Sequence, residues 1–401
     1  VTAGRVRCLG SHAEAVAAAE AFAAAVRPGA AERDRAGGVP RGELADFDRS
    51  GLPAITVPVA DGGSGLGPVT LAEVIRTIAA ADPALAQIPQ GHFLAIDILR
   101  RLGTPEQRSR ILPAVTEGGR IAPVLAERGG THALDLKTRL VADGPGWRLD
   151  GVKYYSTGAI TARWLAASAL DPDDKLVLAL IERDSPGVAI GEDWSAMGQR
   201  ATVSGTTTFV GVRVESGFVV PYWTAFTEPQ LLGARTQLVH AAIEAGIAEG
   251  ALADAAEFVR TRSRPFFEAY RSDQAPTAAE DPHIRLRFGR LATRTRAAVQ
   301  LLRWAAEVLE ELGLIPAGPD TAAQGSIAVA QAKAFASEVA VEVASELFAL
   351  TGTSGTDLKY GLDRHWRNAR THSVHDPVDW KYHHIGAWEL TAVRPPSHGQ
   401  I

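Results

Sequence analysis

The sequence predicts a mainly α-helical protein with a β-domain set in its middle. Three observations predict it: apolar residues recur at helical spacing from residue 11 to about 118, short β-type runs take over between about 120 and 222, and helical spacing returns after Thr227 and holds to about residue 350. The 401 residues, 46% apolar and 22% charged, suffice for large cores over two or three domains. The expected division is an N-terminal helical domain (1–119), a β-barrel domain (120–226) and a C-terminal helical bundle with a histidine-rich tail (227–401).

The first element, SHAEAVAAAEAFAAAV, reads as a surface helix. His12, Glu14 and Glu20 interrupt it too often for a bilayer span, and it lacks the basic head and cleavage site of a secretory leader. The helices LAEVIRTIAAADPALAQIP and HFLAIDILRRLG follow, with Gly103 and Pro105 ending one helix and permitting the next. In the middle, RLDGVKYY, LVLALIE and TTTFVGVRV are separated by the turn clusters DGPG, DPDD and DSPG, and the two-residue period puts Val210, Val212 and Val214 on one face. Three long helical segments then begin near Glu228, Pro282 and Thr321. In the last, Val329, Ala332, Phe335, Val339, Val343, Leu347 and Leu350 form one apolar stripe that calls for neighbouring helices. Strand and helix do not alternate as in a doubly wound dinucleotide fold.

Charge and cysteine content exclude several function classes. A net charge of −5 without a long basic block makes nucleic acid and anionic membranes poor partners. The single cysteine, Cys8, allows neither an internal disulfide nor a thiolate metal cage, so a cytoplasmic location is expected. The run GGSGLG at Gly62 to Gly67 follows a proline-broken segment and lacks the βαβ frame of a dinucleotide fingerprint, so it reads as a tight loop before a helix near Val69. No GK[ST] occurs, which removes the Walker lysine. GTSGT near Gly352 has the wrong spacing for a serine nucleophile elbow.

The dense region is DRHWRNARTHSVHDPVDWKYHHIG, which gathers His365, His372, His375, His383 and His384 beside Asp363, Asp376 and Asp379. Three readings compete: a metal site using His372 and His375, a structural ion network, and acid-base or oxygen chemistry by an imidazole titrating near neutrality. His92, in QGHFLAID, reads by itself as a core histidine with one hydrogen bond. In GWRLDGVKYYSTGAITARWL, a Ser-Thr-Gly turn after a strand can offer hydroxyls and amides to a planar ring, with Tyr155 against its face, or can be an ordinary polar turn.

Taken together, LAERGG at 125–130, WRLDGVKYYSTG at 147–158 and DWSAMGQRATVSGTTTFVGVRV at 193–214 resemble the acyl-CoA dehydrogenase fold superfamily over nearly the whole chain, which implies a C-terminal four-helix bundle. DRHWRNARTHSVHDP at 363–377 is similar to its flavin-dependent monooxygenase branch, which includes dibenzothiophene desulfurisation monooxygenases and sulfur-acquisition oxidoreductases. The resemblance implies a two-component enzyme: a separate NAD(P)H:flavin reductase supplies reduced FMN or FAD, and dioxygen adds at the flavin C4a atom. The resulting hydroperoxyflavin oxygenates a sulfur, nitrogen or carbon centre of a small hydrophobic or aromatic substrate. It implies His375, His92, Ser156 and His372 as catalytic residues around the reactive flavin carbon, and no metal. Tyr155, Ser156 and Thr157 are implied at the ring, Arg264 at the phosphate, and Thr353, Ser354 and Gly355 as a segment reaching a neighbouring subunit's cofactor in a homotetramer. Pro123 and Ile96 stand where the desulfurisation relatives carry polar side chains. Two alternatives remain at this stage: an FAD-dependent desaturase of the acyl-CoA dehydrogenase type with Glu244 or Glu249 as base, and a non-catalytic ligand-binding member.

Overall fold

The computed structural model describes residues 6–132, 135–272 and 275–401. Helix α1 (His12–Val26) starts where the Ser11 hydroxyl accepts the Glu14 amide, and it buries Ala15, Ala19, Phe22, Ala23 and Val26. Helices α2 (Ala30–Ala36) and α3 (Arg41–Arg49) lead to the loop at 62–66. Its amides donate to the carbonyls of Val59, Pro58, Ala54, Val57 and Ile55, so none is left to cradle a phosphate. Helices α4 (Pro68–Ala81), α5 (Pro83–Gln87), α6 (Gln90–Leu102) and α7 (Pro105–Thr116) complete the first third. A capping box starts α7, with Thr104 and Gln107 exchanging side-chain and backbone bonds of 2.9 and 3.1 Å.

The middle section contains β1 (Ile121–Val124), β2 (Arg139–Asp143), β3 (Gly146–Lys153), β4 (Trp164–Leu170), β5 (Leu176–Glu182), β6 (Val188–Ile190), β7 (Thr207–Val214) and β8 (Val219–Val220). The expected barrel is realised as one folded-over sheet, its ladder running β6-β7-β3-β2-β4-β5-β8 with β1 parallel to β4. Residues of β5 and β7, far apart in the ladder, share one core around Leu149, Leu165, Ile181 and Val212. Strand β4 is buried on both faces: Leu165, Ala167 and Ala169 face this core, while Trp164 and Ala166 face the helices. One expectation fails here. Val210 does not share a face with Val212 and Val214, because a bulge between Leu149 and Gly151 and a positive φ at Gly211 shift the register, so Phe209 packs inward and Val210 is exposed.

Helices α8 (Leu232–Thr261), α9 (Phe267–Arg271), α10 (Pro282–Leu312), α11 (Pro319–Thr351), α12 (Asp363–Ser373) and α13 (Val378–Thr391) make the last part. The stripe on α11 is buried as expected, except that Phe335 is partly exposed. Helix α8 packs on α11, α10 and α4. Its contact with α4 is close because Gly246 and Gly250 lack side chains: a Cβ there would lie 2.5 Å from the Arg76 carbonyl oxygen and 2.4 Å from that of Ala80. Among the described residues, no helix is long and apolar enough to cross a membrane.

Candidate functional site

Two loops of the β-section and the end of α12 build the site. The first loop, Tyr154 to Gly158, follows β3. Tyr155 adopts a left-handed φ of 58° and leaves its ring 55% exposed, edge-on to Trp194 at 5.9 Å. In the second, Gln199 and Val203 have φ of 51° and 47°. Five non-glycine residues have positive φ among the described residues, and three of them lie in these two loops. For a β-branched residue such as Val203 that conformation costs about 1–3 kcal/mol, and such strain concentrates at ligand sites.

Polar bonds tie the loops together. The Thr157 and Ser204 hydroxyls are 2.7 Å apart, those of Ser204 and Thr202 are 2.8 Å apart, and Thr202 Oγ1 donates to the Gln199 carbonyl at 2.9 Å. The Gln199 amide donates to Asn368 Oδ1 on α12 at 2.6 Å. That junction requires Gly198, where a Cβ would stand 2.0 Å from the Arg367 carbonyl oxygen. The relay therefore links the turn bearing Ser156 to the helix bearing His372. Ser156 itself is 1% exposed, and its Oγ has no hydrogen-bond partner.

Helix α12 delivers His372 to a fully buried cluster. His372 Nδ1–H donates to Glu244 Oε1 on α8 at 3.0 Å, and His372 Nε2 lies 3.0 Å from His240 Nδ1. Lys333 Nζ on α11 is 2.8 Å from Glu244 Oε1, and Ser337 Oγ donates to Glu244 Oε2. Burial pushes the Glu244 carboxyl up, but the Lys333 charge and the hydrogen bond from His372 outweigh it and hold the group below its ordinary range. Burial lowers His372, against the pull of Glu244, and lowers His240 further, with the nearby His375, His372, Lys333 and Lys381 acting the same way. The resting cluster is thus an ionised Glu–Lys pair with two neutral imidazoles.

His375 lies just beyond α12, with its side chain 41% exposed and its ring packed on that of His240 at a centroid distance of 4.1 Å, tilted by 35°. Its Nδ1 donates to Asp376 Oδ1 at 3.1 Å, and Asp376 Oδ2 lies 2.8 Å from buried Lys381 Nζ. Burial pushes Asp376 up, but His375, Lys333 and Lys381 hold it well below the usual carboxylate range. A carboxylate on Nδ1 fixes the tautomer and leaves the His375 Nε2 as the nitrogen with the free lone pair.

The other expected residues are either engaged in bonds of their own, buried or exposed. His92 is buried with both ring nitrogens engaged: Nε2–H donates to the Pro53 carbonyl at 2.8 Å, and Nδ1 accepts the Ile121 amide at 3.1 Å. Ile96 is fully buried, and Pro123 abuts Gly91 at the start of α6. Arg264 is exposed with no ion-pair partner among the described residues, and Thr353 and Ser354 are exposed in the turn after α11. Of the five tail histidines, His365 joins Arg364 on Asp254, while His383 and His384 surround Trp380 on α13. The metal reading fails at His372, whose two nitrogens are already engaged. The proposed desaturase bases are engaged too, Glu244 with Lys333 and His372, Glu249 with Arg76. Sequence reasoning missed His240, Lys333, Ser337, Gln199, Asn368 and Lys381. For His240, Lys333 and Ser337 the only local signal is a polar residue within an apolar helical run.

Family models described as acyl-CoA dehydrogenase N-terminal, middle and C-terminal domains match residues 11–119, 125–212 and 238–380. A dibenzothiophene monooxygenase of Mycolicibacterium goodii is 34% identical over 379 residues, covering 91% of this chain and 90% of its own length. A probable FMNH2-dependent monooxygenase of Pseudomonas putida is 32% identical, covering 95% of this chain and 96% of its own. A chain from Paenibacillus sp. A11-2, solved with FMN and indole, superposes with a TM-score of 0.91 at 32% identity, covering 96% of this chain and 99% of its own.

Proposed function

Because the chain belongs to the acyl-CoA dehydrogenase family and is a flavin-dependent monooxygenase of that family, we propose that it uses FMN reduced by a separate NAD(P)H:flavin reductase to oxygenate a small aromatic or organosulfur compound. The FMNH2 dependence in the name of the Pseudomonas putida relative and the FMN and indole of the Paenibacillus structure support this choice over FAD.

The observation that carries the reading is the buried, unpartnered hydroxyl of Ser156. Leaving such a group unsatisfied costs about 1–3 kcal/mol, which a polar ring atom of a bound flavin offsets. The residues present fit the group: Tyr155 and Thr157 flank the hydroxyl, and Trp194 extends the aromatic surface. When bound, reduced flavin supplies the electrons that activate dioxygen for transfer of one oxygen atom.

The chain's own residues bind, orient and manage the proton. Ser156 offers an oriented donor at the ring. His375 Nε2, with its ring held by Asp376 and packed against His240, takes or returns a proton at the flavin site. Beneath it, burial keeps His240 and His372 below their ordinary values. Arg264 is proposed for the FMN phosphate, and Thr353 to Gly355 for contact with a neighbouring subunit in a cytoplasmic homotetramer. The desaturase alternative lacks a free carboxylate at either proposed position.

The test is anaerobic titration with reduced FMN, followed by coupled turnover with indole or dibenzothiophene while product and hydrogen peroxide are both quantified. The expected result is saturable binding, and a peroxide share that rises in Ser156→Ala and His375→Ala. A wild-type chain that binds no reduced FMN overturns the assignment. Unchanged product and peroxide yields in His375→Ala remove that residue from the chemistry.

A further inference from the structure

A line of buried groups runs from α11 through α8 to α12 and back to α8: Lys333, Glu244, His372, His240. Nothing in the proposed chemistry requires a buried ion pair here, and burying one is expensive unless each partner is well bonded. Lys333 Nζ reaches Glu244 at 2.8 Å and the Ser337 hydroxyl at 3.2 Å, and Ser337 in turn donates to Glu244. The carboxylate can only accept, so His372 carries its proton on Nδ1 and its Nε2 is a lone pair. His240 must then place its own proton on Nδ1, facing that lone pair at 3.0 Å. Its Nε2 is left unprotonated, on the ring packed at a tilt against His375 at a centroid distance of 4.1 Å, and has no hydrogen-bond partner among the described residues.

We propose that Lys333, Glu244 and Ser337 are positioning residues that act through His372 to fix the tautomer of His240, making its Nε2 a second proton acceptor beside His375. This rests on the flavin monooxygenase reading only for its kinetic consequence. The charged and titratable groups around His240 are His372 and His375 from α12 and the turn after it, Lys333 from α11, Lys381 from α13 and Glu244 one turn along its own helix. Burial first, and then the Lys333 charge, disfavour an added proton on either imidazole, with Lys381 adding to the effect at His240.

Lys333→Met inverts the arrangement. Without the ammonium, the buried Glu244 charge is compensated by one proton taken from solvent, and it has two places to reside. If it sits on His372, that ring is an imidazolium whose Nε2–H donates to His240. If it sits on the Glu244 carboxyl, the acid donates to His372 Nδ1, and the His372 proton moves to Nε2 and again donates to His240. In both cases His240 Nδ1 becomes the acceptor and Nε2 gains the proton. The free nitrogen changes from acceptor to donor without any residue of the cleft being altered.

The test is long-range proton–nitrogen correlation spectroscopy on the flavin-free full chain carrying nitrogen-15 histidine, with His240→Gln to assign the signal. Wild type should show His240 protonated at Nδ1, Lys333→Met should show it protonated at Nε2, and Lys333→Arg should restore the wild-type pattern. An Nε2–H form in the wild-type chain overturns the proposal whether or not any variant folds, and so does an unchanged tautomer in Lys333→Met. In coupled turnover, kcat of Lys333→Met should fall on the order of tenfold to a hundredfold with KM unchanged, at the lower end of what a positioned acid or base contributes. A flipped tautomer with unchanged kcat overturns the catalytic half. A wild-type chain without monooxygenase turnover refutes the flavin reading and leaves the spectroscopic result standing.

Discussion

His92 makes stability depend on pH in a way that can be worked out from its surroundings. Its ring donates to the Pro53 carbonyl and accepts the Ile121 amide, so the folded protein needs it neutral: a second ring proton would face another N–H. Burial lowers its pKa from 6.5 to about 4. The folded value lies below the unfolded one, so the unfolded chain binds the proton more readily. The contribution is fully present above about pH 6.5 and is lost as pH falls toward about 4. Between pH 7 and pH 5 the linkage relation gives a loss of about 2 kcal/mol from this residue. Urea-unfolding midpoints of wild type and His92→Gln should be measured across that interval. The variant begins less stable at pH 7, by about 1–3 kcal/mol for a disturbed buried hydrogen-bond pair, and its acid slope is shallower by the His92 share. His240, His372 and His365 add slope of the same sign to both proteins, so the difference isolates His92. Parallel slopes would refute this account of His92.

Three further outcomes follow from the geometry. Ser156→Ala removes an unpartnered buried hydroxyl, so urea stability should hold or rise by up to about 1 kcal/mol while affinity for reduced FMN falls about fivefold, and a loss of stability with unchanged affinity would assign the hydroxyl to the fold. Lys153, fully buried against Glu127 at 2.6 Å and Ser168 at 2.9 Å, leaves an uncompensated carboxylate when replaced by Ala, and chemical denaturation should register a loss of about 3–5 kcal/mol. Gly198→Ala drives a methyl group into the Arg367 carbonyl and separates Gln199 from Asn368; flavin binding should weaken more than global stability falls, and equal effects would show that the junction serves only the fold.

The parts legible in the sequence are those whose signal is local. The α11 stripe follows one helical period, and the β4 and β5 runs are apolar on both faces, so their burial could be anticipated. Val210 was misplaced because a bulge at Gly211 interrupts the two-residue period without a change in composition. The histidine-rich tail was legible as a cluster but not in its division: α12 turns His372 inward, His365 goes to Asp254, and His383 and His384 lie on α13 around Trp380. Lys333 and Glu244 are 89 positions apart, and each alone is a charged residue in an apolar helix. Only tertiary packing pairs them. The same holds for Ser156, whose significance lies in the partner it lacks.

The glycine contact between α4 and α8 has a consequence for how this protein can change. Helix α8 is a stiff rod of 30 residues that seats Gly246 and Gly250 against α4, and within the two turns before Gly246 it aims Glu244 and His240. Any enlargement at Ala79 or Ala80 levers that rod and misaims an imidazole on the far side of the helix. Drift in the N-terminal third is therefore policed by chemistry it never touches.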